Sequence, residues 1–420
     1  MKKILFLTPE LPYPPTSGGK LKSWKLLQFL TEHYQVSVGT ILKEDDIGAI
    51  IKFVSTVKID KFFFDNVRQK RTLLNLLKSY LYRIPLNVYR SYSSFFSEQV
   101  KKNIYDYDMV VCDHYEVFQY IPKDYQGKIV SHQHNAYYLM WQRYSESGQN
   151  KLGYRLASYF ESLRVKHYEK KSCNIADLVF ASPNDIESLH NLGIDRSKFR
   201  YTYHLGDDSQ LQLADINFRH TSSSLLYVGT LNWQANIDGL LWFIEKVWPQ
   251  LKLKNPNLIF NIIGKNPDPL LITAANAYND IYFRGFVNDL EPYFQTSRVF
   301  VAPLQYGAGM KVKVLNAMCR GIPVVTTSVG SEGLEVENLN HLVITDNPEV
   351  MVDTISRLLV DENLWTVLQK NSRWLIRQKY TWKELFSYMN TELNLLLKQT
   401  SSEQKKLSTL KTVNMARELI

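Results

Sequence analysis

Short, fully apolar runs alternate along this chain with stretches whose apolar residues recur at helical spacing, and the alternation begins twice. In the first half, Ile4 to Thr8 reads as a buried strand and Pro9 to Gly19 as a loop. Leu21 to His33 then reads as a helix with Leu21, Trp24, Leu27 and Leu30 on one face. A second strand is expected at Val36 to Thr40. Further apolar runs at Met109 to Cys112, Ile129 to Ser131 and Leu178 to Ala181 each end in polar residues, namely Asp113 and His114, His132 to Asn135, and Ser182 to Asp185. Residues 40–108 are less periodic. An aromatic-rich helical stretch there, with Phe62 to Phe64, Tyr80, Tyr82, Tyr89 and Tyr92, suits either the lining of a groove or plain packing, the commoner use of such stripes.

After Leu205 the text is polar and strandless through Ser223, which marks an interdomain connection, and then the pattern restarts. Leu225 to Val228 reads as a strand, Gly229 and Thr230 as its turn, and Asn236 to Trp248 as a helix. Leu258 to Ile263 ends at Gly264, Ile281 to Arg284 ends at Gly285, and Val299 to Ala302 enters the segment VAPLQYGAGMKVKVLNAMCRGIPVVTT, Val301 to Thr327. Helices over Pro348 to Val360 and Leu364 to Gln378 follow, then one over Trp382 to Lys398. Both halves therefore predict an α/β fold of doubly wound parallel sheets. The expected limits are 1–205 and 224–380, a connection over 206–223, a closing helix over 381–399 that packs back across the domains, and a mobile tail over 400–420.

Composition fits this division, since 420 residues exceed one ordinary core and 45% hydrophobic residues suffice for two. Fifty Lys and Arg against 41 Asp and Glu give a net charge of +9, which favours anionic partners: nucleotide phosphates, acidic glycans or an anionic membrane surface. No RNA-binding signature, zinc spacing or DNA-reading basic run accompanies the charge, so nucleic acid is not an expected partner. Cys112, Cys173 and Cys319 are odd in number and far apart, the usage of inert thiols in a reducing cytoplasm. Pro9, Glu10 and Pro12 interrupt the first apolar run too early for a signal peptide. No run approaches the roughly 18 apolar residues of a membrane span, so any membrane contact is expected to be peripheral.

In open parallel sheets, ligands bind at the carboxyl ends of strands, and the glycines and histidines of this chain gather there. Gly307 and Gly309 let a backbone approach a ligand closely, and a helix beginning near Lys311 turns its unpaired N–H groups toward that loop. An anion is expected there, with Lys311 and Lys313 beside it. Gly321 and Pro323 stop that helix before a strand at Val324 and Val325.

The ordered set YVGTLNWQANIDGLLWFIEKVWP (Tyr227 to Pro249), IIGKNP (Ile262 to Pro267), RGFVNDLEPYF (Arg284 to Phe294) and Val301 to Thr327 resembles retaining glycosyltransferases of family 4, especially a subgroup associated with exported polysaccharides. LPYPPTSGGKLK (Leu11 to Lys22), SHQHNAYYLMWQR (Ser131 to Arg143) and NIADLVFASPNDIESL (Asn174 to Leu189) look like the same subgroup, so the resemblance covers roughly residues 1–395. It implies a GT-B fold, two Rossmann-like domains facing a central cleft. It also implies a nucleotide-diphosphate sugar as donor, a saccharide or lipid-linked saccharide as acceptor, and neither a metal nor another cofactor.

The same resemblance implies residue roles. Gly18 and Gly19 would let the N-terminal backbone approach the donor diphosphate. Lys20 and Lys22 would either add charge there or be solvated surface lysines. Gly229 and Thr230 would lie beneath the diphosphate, and Gly285, Phe286 and Val287 would offer backbone groups to the base. Lys311 and Lys313 would neutralise the leaving diphosphate. His134 would be the sugar-contacting histidine and a catalytic residue, with His114 and Asn135 as further sugar or acceptor contacts. Three departures stand out: Asn316 where a ribose-gripping glutamate is common, Ala308 at the upstream glutamate of the family's pair, and Tyr137 where an acidic residue often follows His-Asn. Asn316 keeps a non-catalytic nucleotide- or partner-binding protein as the competing expectation. An epimerase or phosphorylase on the same fold lacks a paired-carboxylate or cofactor-lysine signal.

Overall fold

The computed structural model describes residues 1–42, 48–66, 70, 72–146, 152–203, 205–307 and 309–398; the expected tail and Ala308 lie outside these. The chain forms two compact units, Met1–Thr202 with the residues from Leu385 onward, and Tyr203–Glu384.

The N-terminal unit is built on β1 (Lys3–Thr8), β2 (Gln35–Ile41), β3 (Phe62–Asp65), β4 (Met109–Asp113), β5 (Lys128–His132), β6 (Leu178–Ala181) and β7 (Phe199–Tyr201). They lie in the order β3-β2-β1-β4-β5-β6-β7, all parallel. Because helices cover both faces of such a sheet, its central strands are apolar throughout: Ile4 to Leu7 and Met109 to Cys112 are buried. The strand order reverses between β1 and β4, which places a crevice at their carboxyl ends. Phe62 to Phe64, expected in a helical stretch, form β3 on the sheet edge. Aromatic residues sit well on a half-buried pleated surface, and Val38 to Ile41 offer a register to pair with. The first helix spans Gly18–His33, so Gly18 and Gly19 belong to its first turn and not to a loop. Ser17 caps it by accepting from the Lys20 N–H. In the closing helix over 382–398, Phe386 stacks on Phe29 at 4.7 Å and Glu392 pairs with Arg200.

The C-terminal unit is built on β8 (Ser222–Val228), β9 (Ile259–Ile263), β10 (Ile281–Gly285), β11 (Ser297–Ala302), β12 (Val324–Thr326) and β13 (Val343–Ile344). Their order is β10-β9-β8-β11-β12-β13, again parallel, with its reversal between β8 and β11. The helix expected over Asn236 to Trp248 starts at Gln234 and passes through a π-helical turn at Phe243–Val247. Pro249 explains the widening: it has no N–H to give and its ring crowds the preceding turn, and the Trp248 N–H reaches back to the Phe243 carbonyl. Residues 206–223, read from sequence as an interdomain connection, lie within this unit. Arg373 holds the carbonyls of Leu211 and Leu213, Arg320 that of Ala214, Gln369 that of Ile216, and Trp382 that of Gly206.

Three strand ends meet closely in this unit. The Gly229 N–H donates to the Ile263 carbonyl at 3.0 Å and the Gly264 N–H to the Gly285 carbonyl at 2.9 Å. A Cβ on Gly264 would stand 2.0 Å from the Gly229 carbonyl oxygen, a backbone atom with no room to yield. Gly264→Ala is therefore expected to cost about 1–3 kcal/mol through overpacking, read as a lower urea midpoint at unchanged m-value. An unaltered midpoint would show that the strand ends are not packed this tightly.

Candidate functional site

Each unit carries one polar constellation at its strand-order reversal. In the N-terminal unit the hub is Asp113, the last residue of β4, fully buried. Its Oδ1 accepts from His132 Nδ1 at 2.7 Å and from His134 Nε2 at 2.8 Å, while Oδ2 accepts from Thr8 at 3.1 Å, so β1, β4 and β5 meet on one carboxylate. His114, at a left-handed φ of 75°, donates its backbone N–H to the His132 carbonyl and stacks its ring on His134 with centroids 3.7 Å apart. Its Nδ1 lies 2.9 Å from the Tyr137 hydroxyl.

Burial and neighbouring charge set the protonation of this cluster. Burial pushes His132 and His134 each down to about 4; for His132 the Lys22 ammonium adds to burial while the bond to Asp113 opposes both, and for His134 the charge of Asp113 opposes burial. The Asp113 carboxyl is held well below the carboxylate range despite its burial, chiefly by His134 and His114. With Asp113 ionised and the imidazoles neutral, His134 donates through Nε2 and His132 through Nδ1. His134 Nδ1 then faces the first helix, 3.7 Å from where a Cβ on Gly19 would stand. His134 is 1% exposed, whereas the His114 side chain is 12% exposed and Asn135 is half-buried, so the reachable polar edge of the cluster is His114 and Asn135.

Lys22 is not a surface lysine: it is buried, donates to the Gln133 carbonyl at 2.9 Å, and is pushed down to about 7 by burial against the pull of Asp185 and Asp113. Lys20 lies in the first turn of the same helix. Tyr137, where an acidic residue was expected, begins a helix whose first N–H groups are met from elsewhere. Buried Glu169 accepts from Tyr137 and Tyr138 at 2.9 Å each, and Asp185 from Ala136 at 2.8 Å. Asp185 was read from sequence only as a strand-end polar residue and Glu169 not at all, because the helix N-terminus they serve lies 49 and 32 residues away along the chain. Asp113, His132 and His134 bring ligand-type atoms within 4.8 Å of one another, the geometry a cation would need. Both imidazole bonds already converge on Asp113 Oδ1 with the Lys22 charge nearby, which is the arrangement of a proton-ordered network.

In the C-terminal unit the hub is Lys313, half-buried in the first turn of the helix Val312–Arg320. Its Nζ donates to the Tyr227 hydroxyl at 2.7 Å and to Asn236 Oδ1 at 2.6 Å, and it would meet a Cβ on Gly229 at 3.0 Å. Asn236 also donates to the Thr230 carbonyl at 2.8 Å, fixing the turn after β8. Gly229, Thr230 and Lys313 are thus one group, with Tyr227 and Asn236 as holders that the sequence pattern did not single out. Burial, and then the charge of Lys311, push Lys313 down to about 7. Lys311 donates to the Gly309 carbonyl and lies 3.5 Å from Glu332. Gly307 and Gly309, at φ of 151° and 70°, give the loop the backbone expected of a ligand approach. Beyond the end of β11 in the same loop, the Tyr306 hydroxyl donates to Asp238 at 2.5 Å.

Gly285 closes β10 at φ 68° with open space about it, and Phe286 beyond it is 61% exposed with Lys265 4.0 Å from its ring centroid. Val287 is half-buried. Asn316 does something other than expected. Its Oδ1 accepts from the Asp207 N–H at 2.9 Å, and a Cβ on Gly206 would come within 1.9 Å of that oxygen. The amide fastens the 206–207 backbone to the helix. The three cysteines are buried free thiols, raised by burial, as expected.

Two Rossmann-like parallel sheets, each with its polar residues at the strand-order reversal, define the GT-B class. Residues 222–361 match the family described as Glycosyl transferases group 1. The chain is 24% identical over 401 residues to an uncharacterised 44.6 kDa protein in the cps region of Klebsiella pneumoniae, covering 92% of this chain and 98% of that one. It is 32% identical over 110 residues to O-antigen chain mannosyltransferase B of Escherichia coli, 25% of this chain and 29% of that one. Its fold resembles that of HepE from Anabaena, crystallised with UDP and glucose, at a TM-score of 0.64 and 14% identity over 94% of this chain and 100% of that one. The chain has the GT-B fold, and the match to the group 1 glycosyltransferases lies within its C-terminal unit. Among the described residues no helix is long and apolar enough to cross a membrane.

The buried histidines make a pH signature. Their unfolded value is 6.5 and their folded value about 4, so between these the unfolded chain binds more protons. Stability should climb with pH across that window and be lost as pH falls through it, by on the order of a few kcal/mol. Urea midpoints measured from pH 7 to pH 4 are expected to fall steeply; a flat profile would mean that the imidazoles are solvated or already charged.

Proposed function

We propose that this protein is a retaining, metal-independent glycosyltransferase that moves a hexosyl group from a nucleotide-diphosphate sugar to a saccharide or lipid-linked saccharide in polysaccharide assembly. The observation that carries this reading is the Lys313 group: a cation held by Tyr227 and Asn236 over Gly229, at the end of β8 where the strand order reverses. An ammonium near 7 when unliganded becomes fully charged once a diphosphate lies against it, because the anion favours the protonated form. The charge is then largest when the glycosidic bond breaks and negative charge moves onto the leaving phosphate.

Gly307, Gly309 and Lys311 supply backbone and charge on the β11 side, and the open Gly285-Phe286-Val287 end suits the base. In the N-terminal unit, His114 and Asn135 serve as hydroxyl contacts. His134, held by Asp113 and buried, keeps an unprotonated Nδ1 toward Gly19 and backs the His114 ring stacked on it, so its part in sugar contact runs through that ring. In a same-face reaction the leaving phosphate takes the proton of the incoming hydroxyl, so none of these residues has to act as a general base. The cps-region, O-antigen and UDP-bound proteins among the relatives motivate a surface polysaccharide as product and UDP as the first nucleotide to try.

Asn316 favours a second reading, a nucleotide-binding protein without transfer, because its amide oxygen is engaged by Asp207. Transfer or donor hydrolysis, assayed with nucleotide sugars and a cell-wall extract, separates the two. Lys313→Ala is expected to lower kcat by about 10²–10³ while retaining the fold. Equal turnover in wild type and variant would remove Lys313 from the mechanism, and donor binding with no turnover in the wild type would favour the second reading.

A further inference from the structure

Two helices of the N-terminal unit are amphipathic the wrong way round for a soluble core. In the helix Leu73–Leu81, Asn75 and Ser79 face inward and are buried, whereas Leu73, Leu74, Leu77 and Leu81 face solvent at 73%, 60%, 59% and 79% exposure. The start of the helix Leu152–Ile175 repeats the inversion: Ser158, Glu161 and Ser162 are buried, while Tyr154, Leu156, Tyr159, Phe160 and Leu163 are exposed. Packing to the interior does not account for this, since the inward positions are the polar ones.

The polar residues turned inward hold the helices side by side. Arg164 donates to Ser79 at 2.8 Å and to the Ile84 carbonyl, pairs with Glu161 at 2.7 Å, and sits 3.9 Å from the centroid of the Tyr80 ring. Glu161 in turn accepts from the Leu86 N–H at 2.7 Å. With the ionic groups consumed between the helices, the outward faces form an apolar surface of a kind that marks an interaction site.

Charge says what covers it. Between Asp65 and Glu98 the sequence has no acidic residue but carries Arg68, Lys70, Arg71, Lys78, Arg83 and Arg90. Between Glu146 and Glu161 it again has none, but carries Lys151 and Arg155. Lys70, Lys78 and Arg83 are exposed. Leucines and aromatic rings bordered by cations with no anions among them match the acyl boundary and phosphate layer of a bilayer. A second copy of the same face would set these cations against one another.

We propose that the outward faces of Leu73–Leu81 and of the first turns of Leu152–Ile175 dock the protein on an anionic lipid bilayer, the leucines and aromatic rings entering the headgroup layer and the basic residues pairing with lipid phosphates. The proposal does not rest on the transfer activity, and its test reads binding alone. The full chain is co-sedimented with vesicles of phosphatidylcholine and with vesicles of phosphatidylcholine containing phosphatidylglycerol. Two double variants are compared, Leu77→Glu with Leu81→Glu and Lys70→Glu with Lys78→Glu. All four positions are exposed, and unchanged circular dichroism and unfolding midpoints confirm that the variants fold.

The wild type is expected to bind the anionic vesicles preferentially, less so at high salt, and each double variant to bind at least about tenfold more weakly. Three results would overturn the proposal: no binding to anionic vesicles, binding that is the same in wild type and variants, or a wild-type dimer that the leucine variant converts to a monomer. The last would assign the face to contact between copies of the chain.

Discussion

A parallel strand with helices on both faces disfavours large or charged polar side chains away from its ends, and the polar constellations of this protein follow from that constraint. Ile4 to Leu7 and Met109 to Cys112 are buried and apolar, and the first polar groups beyond them, Thr8 and Asp113, bond to each other where the strand order reverses. In the C-terminal unit the same geometry brings Gly229 and the loop after β11 to the β8/β11 reversal, with Lys313 set over Gly229. Polar groups forced together at such a point must satisfy one another. A carboxylate shared by two imidazoles, and an ammonium shared by a phenol and an amide, are the two solutions found here.

The two solutions differ in consequence. Around Asp113 the negative charge is kept and the imidazoles are neutral, so the cluster is ordered and its tautomers are fixed. Among the described residues no carboxylate is bonded to the Lys313 ammonium and its two partners are neutral, so burial lowers its affinity for the proton and a bound anion would restore it. One is an ordered frame that keeps a negative charge among neutral donors, the other an ammonium bonded by neutral partners, which we propose to be the anion site. The inverted helices of the N-terminal unit invoke the same rule from the other side. Arg164, Glu161, Ser79 and Leu86 bond to one another between the helices, and apolar side chains are left outside.

Much of this was legible in the sequence because strand ends are local features. Apolar runs broken by Asp113-His114, by His132 to Asn135 and by Gly229, Gly264 and Gly285 marked the carboxyl ends of strands, and the ordered motifs carried the resemblance to glycosyltransferases. What was not legible depended on partners far along the chain. Asp113 was visible as a strand-end residue, yet its role as hub required β1, β4 and β5 to converge. Asn236 and Tyr227 look like ordinary helix and strand residues until Lys313, 77 and 86 positions away, reaches them. Asn316 was expected beside a ribose because its helix matches the family, but Asp207, 109 residues upstream, occupies its carbonyl. Lys22 was read as a choice between anion site and surface lysine and proved to be buried against Gln133. The aromatic triplet of β3 lacked the alternation that would have separated a strand from a helix. The inverted helices show regular periodicity, and only burial reveals which face is turned outward.

The central claim is that the C-terminal unit, through Lys313 and the glycine strand ends, is a site for a nucleoside diphosphate. Thermal unfolding in the presence of UDP, GDP, ADP and dTDP tests it most directly, because a ligand at 100 times its dissociation constant adds about 2.7 kcal/mol to the stability of the state that binds it. The account predicts a marked rise in the unfolding temperature with at least one of the four, lost in Lys313→Ala. No rise with any of them, or an equal rise in the variant, would contradict it.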